Sequence, residues 1–438
     1  MRSANPVGNQ VSTATTPSHR RAPVGREGNE SPMSSGPESA TVRDDGAALI
    51  PVTGAWRVGD PLGRRKIVTL VQDRPFHLEG GAVLRHIDVA YETWGELAPD
   101  GSNAVLVCHA LTGDSHAFGR AEEIQSTGWW QGMFGPGRAL DPTRSFIVCA
   151  NVLGGCQGTT GPASEDPSTG RPYGSSFPVV TIRDMVRTQA MLADHLGIAV
   201  WQAVVGGSMG GMQALEWAVM FPHRLRSLVA FATSAAASAQ QIAWSMVGRR
   251  AVTLDPNFAG GDYYDRPAGH GPHAGLAVAR QIAQIHYRSE EVFAAKFGRK
   301  LVDPLDAAGS FRLDQRFDVE GYLDYQGHKL VGRFDANTYL RLNKAMDLHD
   351  LGRGRGGVGR AVARIVVPSL IMSIRSDVLY PPYQQYELRD LLRAQGNRVG
   401  FYEIDSPDGH DGFLTETNQI SPLVAGFLDG VNDLRRTK

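Results

Sequence analysis

Three side chains that together could carry out acyl chemistry lie far apart in this chain: a serine between glycines, an aspartate after an apolar run, and a histidine in a polar loop. The serine is Ser208, in the stretch VVGGSMGGMQALEWA at 204–218. A β-prone run enters it and a helical pattern leaves it, with Met212, Leu215, Trp217 and Val219 at helix positions until Pro222. A sharp strand-to-helix turn strains the serine backbone, and glycines at 206, 207, 210 and 211 remove side chains that would clash there. The hydroxyl then protrudes at the C-terminal edge of a sheet, beside the free N–H groups of a helix N-terminus. Taken alone, G-x-S-x-G is weak evidence in a chain with 51 glycines, and a turn that only packs a helix on a strand explains it as well.

A serine hydroxyl needs a base, and the base needs a carboxylate to orient it. Asp377 follows SLIMSIRS (369–376), and His410 lies in the loop after VGFYEID (399–405). Serine, acid and histidine thus occur in the chain order expected when each sits on a loop after a strand. Asp405 and Asp408 also precede His410, but they share its loop and suit turn formation better. His109 and His116 fall on a loop upstream of the serine and suit pocket lining or hydrogen bonding better than the role of base; His270, His273, His286 and His349 fall in a helical stretch and read as solvated or structural. For a developing oxyanion, the expected donors are the backbone N–H groups of Leu111, in HALTGDSH (109–116), and of Met209.

The elements that must position these residues can be read from hydrophobic periodicity. VLRHIDVAYETWG (83–95) alternates like a half-exposed antiparallel strand, whereas 103–111, 145–154 and 201–207 are continuous apolar runs expected as buried, mostly parallel strands. Residues 179–198 repeat Ile182, Met185, Val186, Gln189 and Leu192 at helical spacing, and Gly197 stops them. Further strands are expected at 227–235, 365–377 and 399–410, with a helical block at 236–350 between the first two. The fold class is α/β, with a core at 56–235 and 351–438 interrupted by a helical lid. Residues 1–55 are rich in Ser, Thr, Pro, Gly and Arg with few large apolar side chains, so they are expected to be a disordered extension. Arg2, Arg20, Arg21 and Arg26 without an acid before Glu27 faintly resemble a transit peptide, and translation from Met33 or later is an equal alternative.

Composition narrows the function classes. A net charge of −1 gives no support for nucleic-acid binding. Cys108, Cys149 and Cys156 fit neither a disulfide framework nor a metal site, which points to a reducing, cytoplasmic setting. No apolar run is long enough to suggest a membrane span.

HALTGDSH, GWW (128–130) with GPGRALD (135–141), NVLGGCQGTTGP (151–162), FPVVTIRDMV (177–186), GGSMGGMQALEWA and SPDGHDGFL (406–414) resemble the homoserine O-acetyltransferases of the α/β-hydrolase superfamily. The resemblance runs from about residue 65 to the C-terminus. It implies an α/β-hydrolase fold, acetyl transfer from acetyl-CoA to the hydroxyl of L-homoserine in methionine biosynthesis, and a ping-pong route through Ser208, His410 and Asp377. It also implies that Arg280, in GLAVARQIAQIHYR (275–288), receives the substrate carboxylate, that Asp411 receives its ammonium, and that Tyr287 adds a hydrogen bond. No bound cofactor or metal is implied beyond acetyl-CoA as substrate, and a homodimer is the usual assembly of such proteins. Succinyl-CoA as donor, serine as acceptor, simple ester or thioester hydrolysis, and a non-catalytic scaffold remain the alternatives.

Overall fold

In a computed structural model, the structure describes residues 50–72, 74–120, 127–302 and 312–436. The eight strands of the main sheet are β1 (Lys66–Val71), β2 (Ile87–Trp94), β3 (Ala104–Cys108), β4 (Phe146–Ala150), β5 (Ala203–Gly207), β6 (Leu228–Phe231), β7 (Ser369–Ile374) and β8 (Val399–Ile404). Their spatial order is β1-β2-β4-β3-β5-β6-β7-β8. β2 pairs antiparallel with both β1 and β4, and every pairing from β4 across to β8 is parallel. The continuous apolar runs end up in the middle of this sheet because both of its faces are covered. Alternate residues of a strand face opposite ways, so Leu106, Val204, Ala230 and Ile371 join one core while Val105, Val205, Val229 and Leu370 join the other.

The first core is closed by α1 (Ile182–His195) and α2 (Met209–Met220). α1 begins where Thr181 and Asp184 form a capping box, three residues inside the expected start. It ends as Gly197 turns to φ 72° and the Ile198 N–H reaches back to the Ala193 carbonyl at 2.8 Å. Between β6 and β7 the described residues contain α3 (Ala239–Thr253), α4 (His273–Tyr287), α5 (Glu290–Lys296), α6 (Asp318–Val331), α7 (Ala336–Asp347) and α8 (Val358–Val362), and add no strand to the main sheet. α4 packs between α3 and α6. After β7 comes α9 (Pro382–Ala394), and after β8 come α10 (Gly412–Thr415) and α11 (Thr417–Arg436).

Two local expectations differ from the structure. β2 is not half-exposed: Ile87, Val89 and Tyr91 enter one core and Trp94 the other. Its polar Glu92 is fully buried, with His116 Nδ1 2.9 Å from its Oε2. The alternation of polar and apolar residues is real, but tertiary partners cover the polar face. The second difference concerns the extension expected at 1–55. Residues 1–49 lie outside the described residues, whereas Val52, Thr53 and Ala55 are buried. Thr53 Oγ1 donates to Asp335 Oδ1 at 2.8 Å, and a Cβ on Gly54 would stand 2.5 Å from the Arg333 and Phe334 nitrogens. Asp335 is fully buried and caps α7; it also accepts from the hydroxyls of Tyr263 (2.7 Å) and Tyr264 (3.0 Å).

Candidate active site

Ser208 sits between β5 and α2 at φ 57° and ψ −126°, the strained turn that its glycines make room for. A Cβ on Gly206 would stand 2.2 Å from the Gly210 oxygen, one on Gly207 2.5 Å from the Phe413 ring, one on Gly210 2.1 Å from the Cys108 oxygen, and one on Gly211 2.7 Å from the Thr233 side chain. Each glycine therefore answers a separate neighbour. Thr233, just after β6, also donates its hydroxyl to the Ser208 carbonyl at 3.0 Å. It is placed there by a kink at Ala232, whose φ is 41°.

His410 and Asp377 reach the serine from the loops after β8 and β7. His410 Nε2 is 2.8 Å from Ser208 Oγ, and His410 Nδ1 is 2.7 Å from Asp377 Oδ2. A neutral ring donating through Nδ1 to the carboxylate leaves Nε2 to accept the serine hydroxyl, the tautomer a general base requires. Asp377 is oriented in turn by the N–H groups of Leu379 and Tyr380, both donating to Oδ1 at 2.8 Å. Ser208, Asp377 and His410 are each at most 4 % exposed, so charge that develops on them is poorly screened by solvent. The other candidates lie elsewhere. Asp405 pairs with Arg375 and Asp408 with Arg288.

The loop after β3 brings Leu111 beside this group. Among the described residues neither the Leu111 nor the Met209 N–H has a hydrogen-bond acceptor, leaving both free to donate to a bound group. His109 is spent on shaping that loop: its Nδ1 donates to the Ala110 carbonyl at 2.8 Å and its Nε2 accepts the Val152 N–H at 3.1 Å. Burial lowers its pKa, so it stays neutral in that role. Gln213, one turn into α2, donates to the carbonyls of His109 (3.1 Å) and Met209 (3.2 Å), tying the two donor segments together. Gln213 is itself held by Gln189, which Trp217 holds in turn, at 2.7 and 2.8 Å.

From the helical side, α4 supplies Arg280 and Tyr287. The Arg280 guanidinium is 5.4 Å from the Tyr287 ring centre, and that ring is 5.7 Å from the His410 ring. Asp411, next to His410, is ion-paired with Arg288 at 3.1 Å. A cavity of about 30 Å³, the space of one water, is bounded by Leu111, Trp244, His286, Tyr287, Leu379 and Tyr380. His286 stacks on Trp244 at 4.8 Å. Burial, with the nearby Arg280 guanidinium adding to it, brings its pKa down to about 3.

The structure thus brings Ser208, His410, Asp377, Leu111, Met209, Tyr287, Arg280 and Asp411 to one place. Sequence reasoning missed Gln213, Thr233 and Arg288. Spacing offered a signal for Arg288 alone, which follows Tyr287 and lies eight residues, two helical turns, beyond Arg280.

The family described as alpha/beta hydrolase fold matches residues 103–417. A protein of Thermobifida fusca (strain YX) named homoserine O-acetyltransferase is 52% identical over 382 residues, which is 86% of this chain and 97% of that protein. The solved homoserine O-acetyltransferase from Bacillus anthracis superposes with a TM-score of 0.75 at 29% identity, covering 83% of this chain and 97% of that one. Esterase E22 superposes equally well, with a TM-score of 0.75 at 28% identity over 83% of this chain and 100% of its own. With half of its residues shared across nearly the whole length of such a relative, the chain belongs to the homoserine O-acetyltransferase family of the α/β-hydrolase fold.

Proposed function

We propose that this protein transfers an acetyl group from acetyl-CoA to the hydroxyl of L-homoserine, giving O-acetyl-L-homoserine and CoA for methionine biosynthesis. The observation that carries the reading is the unbroken line Ser208–His410–Asp377, with hydrogen-bond distances of 2.8 and 2.7 Å. Ser208 Oγ attacks the thioester carbonyl while His410 Nε2 takes its proton. The negative charge on the carbonyl oxygen is met by the N–H groups of Leu111 and Met209 and by the positive end of α2. The C–S bond breaks, and His410 returns the proton to the CoA sulfur. In the second half, His410 takes the homoserine hydroxyl proton, the alkoxide attacks the acetyl-serine, and Ser208 leaves with the proton restored.

Arg280 takes the substrate carboxylate, Asp411 its ammonium, and Tyr287 a hydrogen bond; their convergence around His410 supports these roles. Residues 236–350 act as a lid that keeps water from the acetyl-enzyme. Acetyl-CoA is consumed as a substrate, and the chemistry needs no resident cofactor. A cytoplasmic location follows from that substrate. A homodimer is supported by apolar side chains left exposed on α3 (Ile242, Met246, Val247) and α4 (Val278, Ile285).

The test is CoA release with homoserine or serine against acetyl-CoA or succinyl-CoA. Turnover confined to homoserine with acetyl-CoA is expected. Preference for succinyl-CoA or for serine would overturn the substrate assignment, and fast CoA release without an acceptor would make the protein a hydrolase.

A further inference from the structure

The end of α4 is fastened to the loop that carries His410. Ser289, which caps α5, donates its hydroxyl to the Pro407 carbonyl. Gly409 adopts φ 65°, and a Cβ there would stand 2.6 Å from the Tyr287 oxygen and 2.9 Å from the Ser289 nitrogen. Between these two contacts Arg288 places Nη1 3.2 Å from Asp408 Oδ1 and Nε 3.1 Å from Asp411 Oδ2. The guanidinium is only 24 % exposed, and Asp411 17 %.

Two features say what this arrangement does. Arg280, Gln284 and Tyr287 are spaced four and seven residues apart on α4, so they share one helical face, and Arg288 follows as the extended residue that ends the helix. The hydroxyl of Tyr322, on α6, accepts from Gln284 Nε2 at 2.8 Å and also interacts with the Arg288 guanidinium. Arg288 Nε nevertheless has no aligned acceptor, so its contact with Asp411 is an ion pair without a directed hydrogen bond. Asp411 is held in place by charge while its oxygens keep the capacity to accept from another donor. Without the guanidinium, the like-charged Asp408 and Asp411, three residues apart on one loop, would lose the cation that reconciles them.

We propose that Arg288 is a positioning residue for the amino group of the acyl acceptor: it fixes the Asp411 carboxylate where a substrate ammonium binds it. The inference rests on the reading of Asp411 as the ammonium site. Its sign separates positioning from simple charge. A guanidinium beside Asp411 repels an incoming ammonium, so if Arg288 acted through charge alone, removing it would tighten homoserine binding. If it acts by holding Asp411, removing it weakens binding.

The experiment uses the full-length protein with Arg288→Met and Arg288→Lys. The KM for L-homoserine is compared with the inhibition constant of 4-hydroxybutanoate, which has the same carboxylate and hydroxyl but no amine. In Arg288→Met the KM for homoserine is expected to rise at least tenfold, while the constant for 4-hydroxybutanoate and the first-turnover CoA burst with acetyl-CoA alone change less than twofold. Arg288→Lys should recover at least half of the loss on a logarithmic scale. A fall in KM, no change, or an equal rise for both ligands overturns the proposal, the last because it marks a general distortion of the site. If the wild-type protein does not acetylate homoserine at all, it is the proposed function that fails, and the two failures cannot be confused.

Discussion

Gln213 holds the His109 carbonyl at 3.1 Å across the join between α2 and the loop after β3, while the same nitrogen holds Met209. One side-chain amide therefore fixes the spacing of the two segments whose N–H groups are assigned to the oxyanion. Gln213→Leu removes that tie without touching the triad. We expect kcat to fall roughly 10- to 100-fold, somewhat less than the loss of an oxyanion donor itself, with the KM for homoserine changed little. Steady-state kinetics on the purified variant checks this, and an unchanged kcat would show that the two segments keep their spacing unaided.

Asp377 accepts from His410 through one oxygen and from two backbone N–H groups through the other. Asp377→Asn keeps the size but can present an NH2 to His410, which would turn the ring to the wrong tautomer. A drop in kcat of about 10⁴-fold is the expected scale, with the melting temperature within a few degrees of wild type. Ser208→Ala should abolish the CoA burst entirely. Appreciable turnover in that variant would remove the serine from the mechanism.

Arg280 stands over the ring of Tyr287. Arg280→Met should raise the KM for homoserine about 10- to 100-fold, the scale of a lost charged hydrogen bond, and leave the burst with acetyl-CoA alone intact. A burst reduced in proportion would place Arg280 in the acylation half-reaction instead.

Stability should depend on pH through His286. Its pKa is about 3 in the fold against 6.5 for an ordinary histidine. Between these values the unfolded chain binds a proton that the folded one refuses, so this contribution is complete above 6.5 and is lost as pH falls toward 3. The loss is at most about 1.4 kcal/mol per pH unit. Burial lowers the pKa of His109 and His349 as well, adding slope of the same sign. His286→Phe, which can still stack on Trp244, should flatten the fall in melting temperature between pH 6.5 and 4. An unchanged slope would mean that His286 takes up a proton in the folded state.

Features that a short window encodes were legible in the sequence. The glycines around Ser208, the apolar runs of β3, β4 and β5, and the stop at Gly197 are consequences of local sterics and of period, and each appears where those rules put it. Asp377 and His410 could be found because strand-then-loop rhythm marks the sheet edge where they meet Ser208. Partnerships across the fold were not legible. Glu92 alternates along β2 like a solvated residue, and its burial rests on partners elsewhere in the chain, among them His116, 24 positions away, and Arg64. Gln213 looks like any polar residue on a helix, because the carbonyl it serves belongs to another segment. The Val52–Ala55 strap has no period at all, and its role is set by Asp335, some 280 residues later.

That strap also sets a practical limit on trimming the protein for expression or crystallisation. A cut just before Ile50 leaves the Thr53 hydroxyl on Asp335 and the apolar contacts of Val52 and Ala55 in place. A cut after Ala55 would take one of the donors from a fully buried carboxylate and uncover the backbone of Arg333 and Phe334, against which Gly54 is fitted. Arg333 itself donates to the Thr112 carbonyl at 2.7 Å, in the loop that presents Leu111. Residues 50–55 thus bear on the backbone of Arg333, whose side chain in turn holds the loop that carries Leu111.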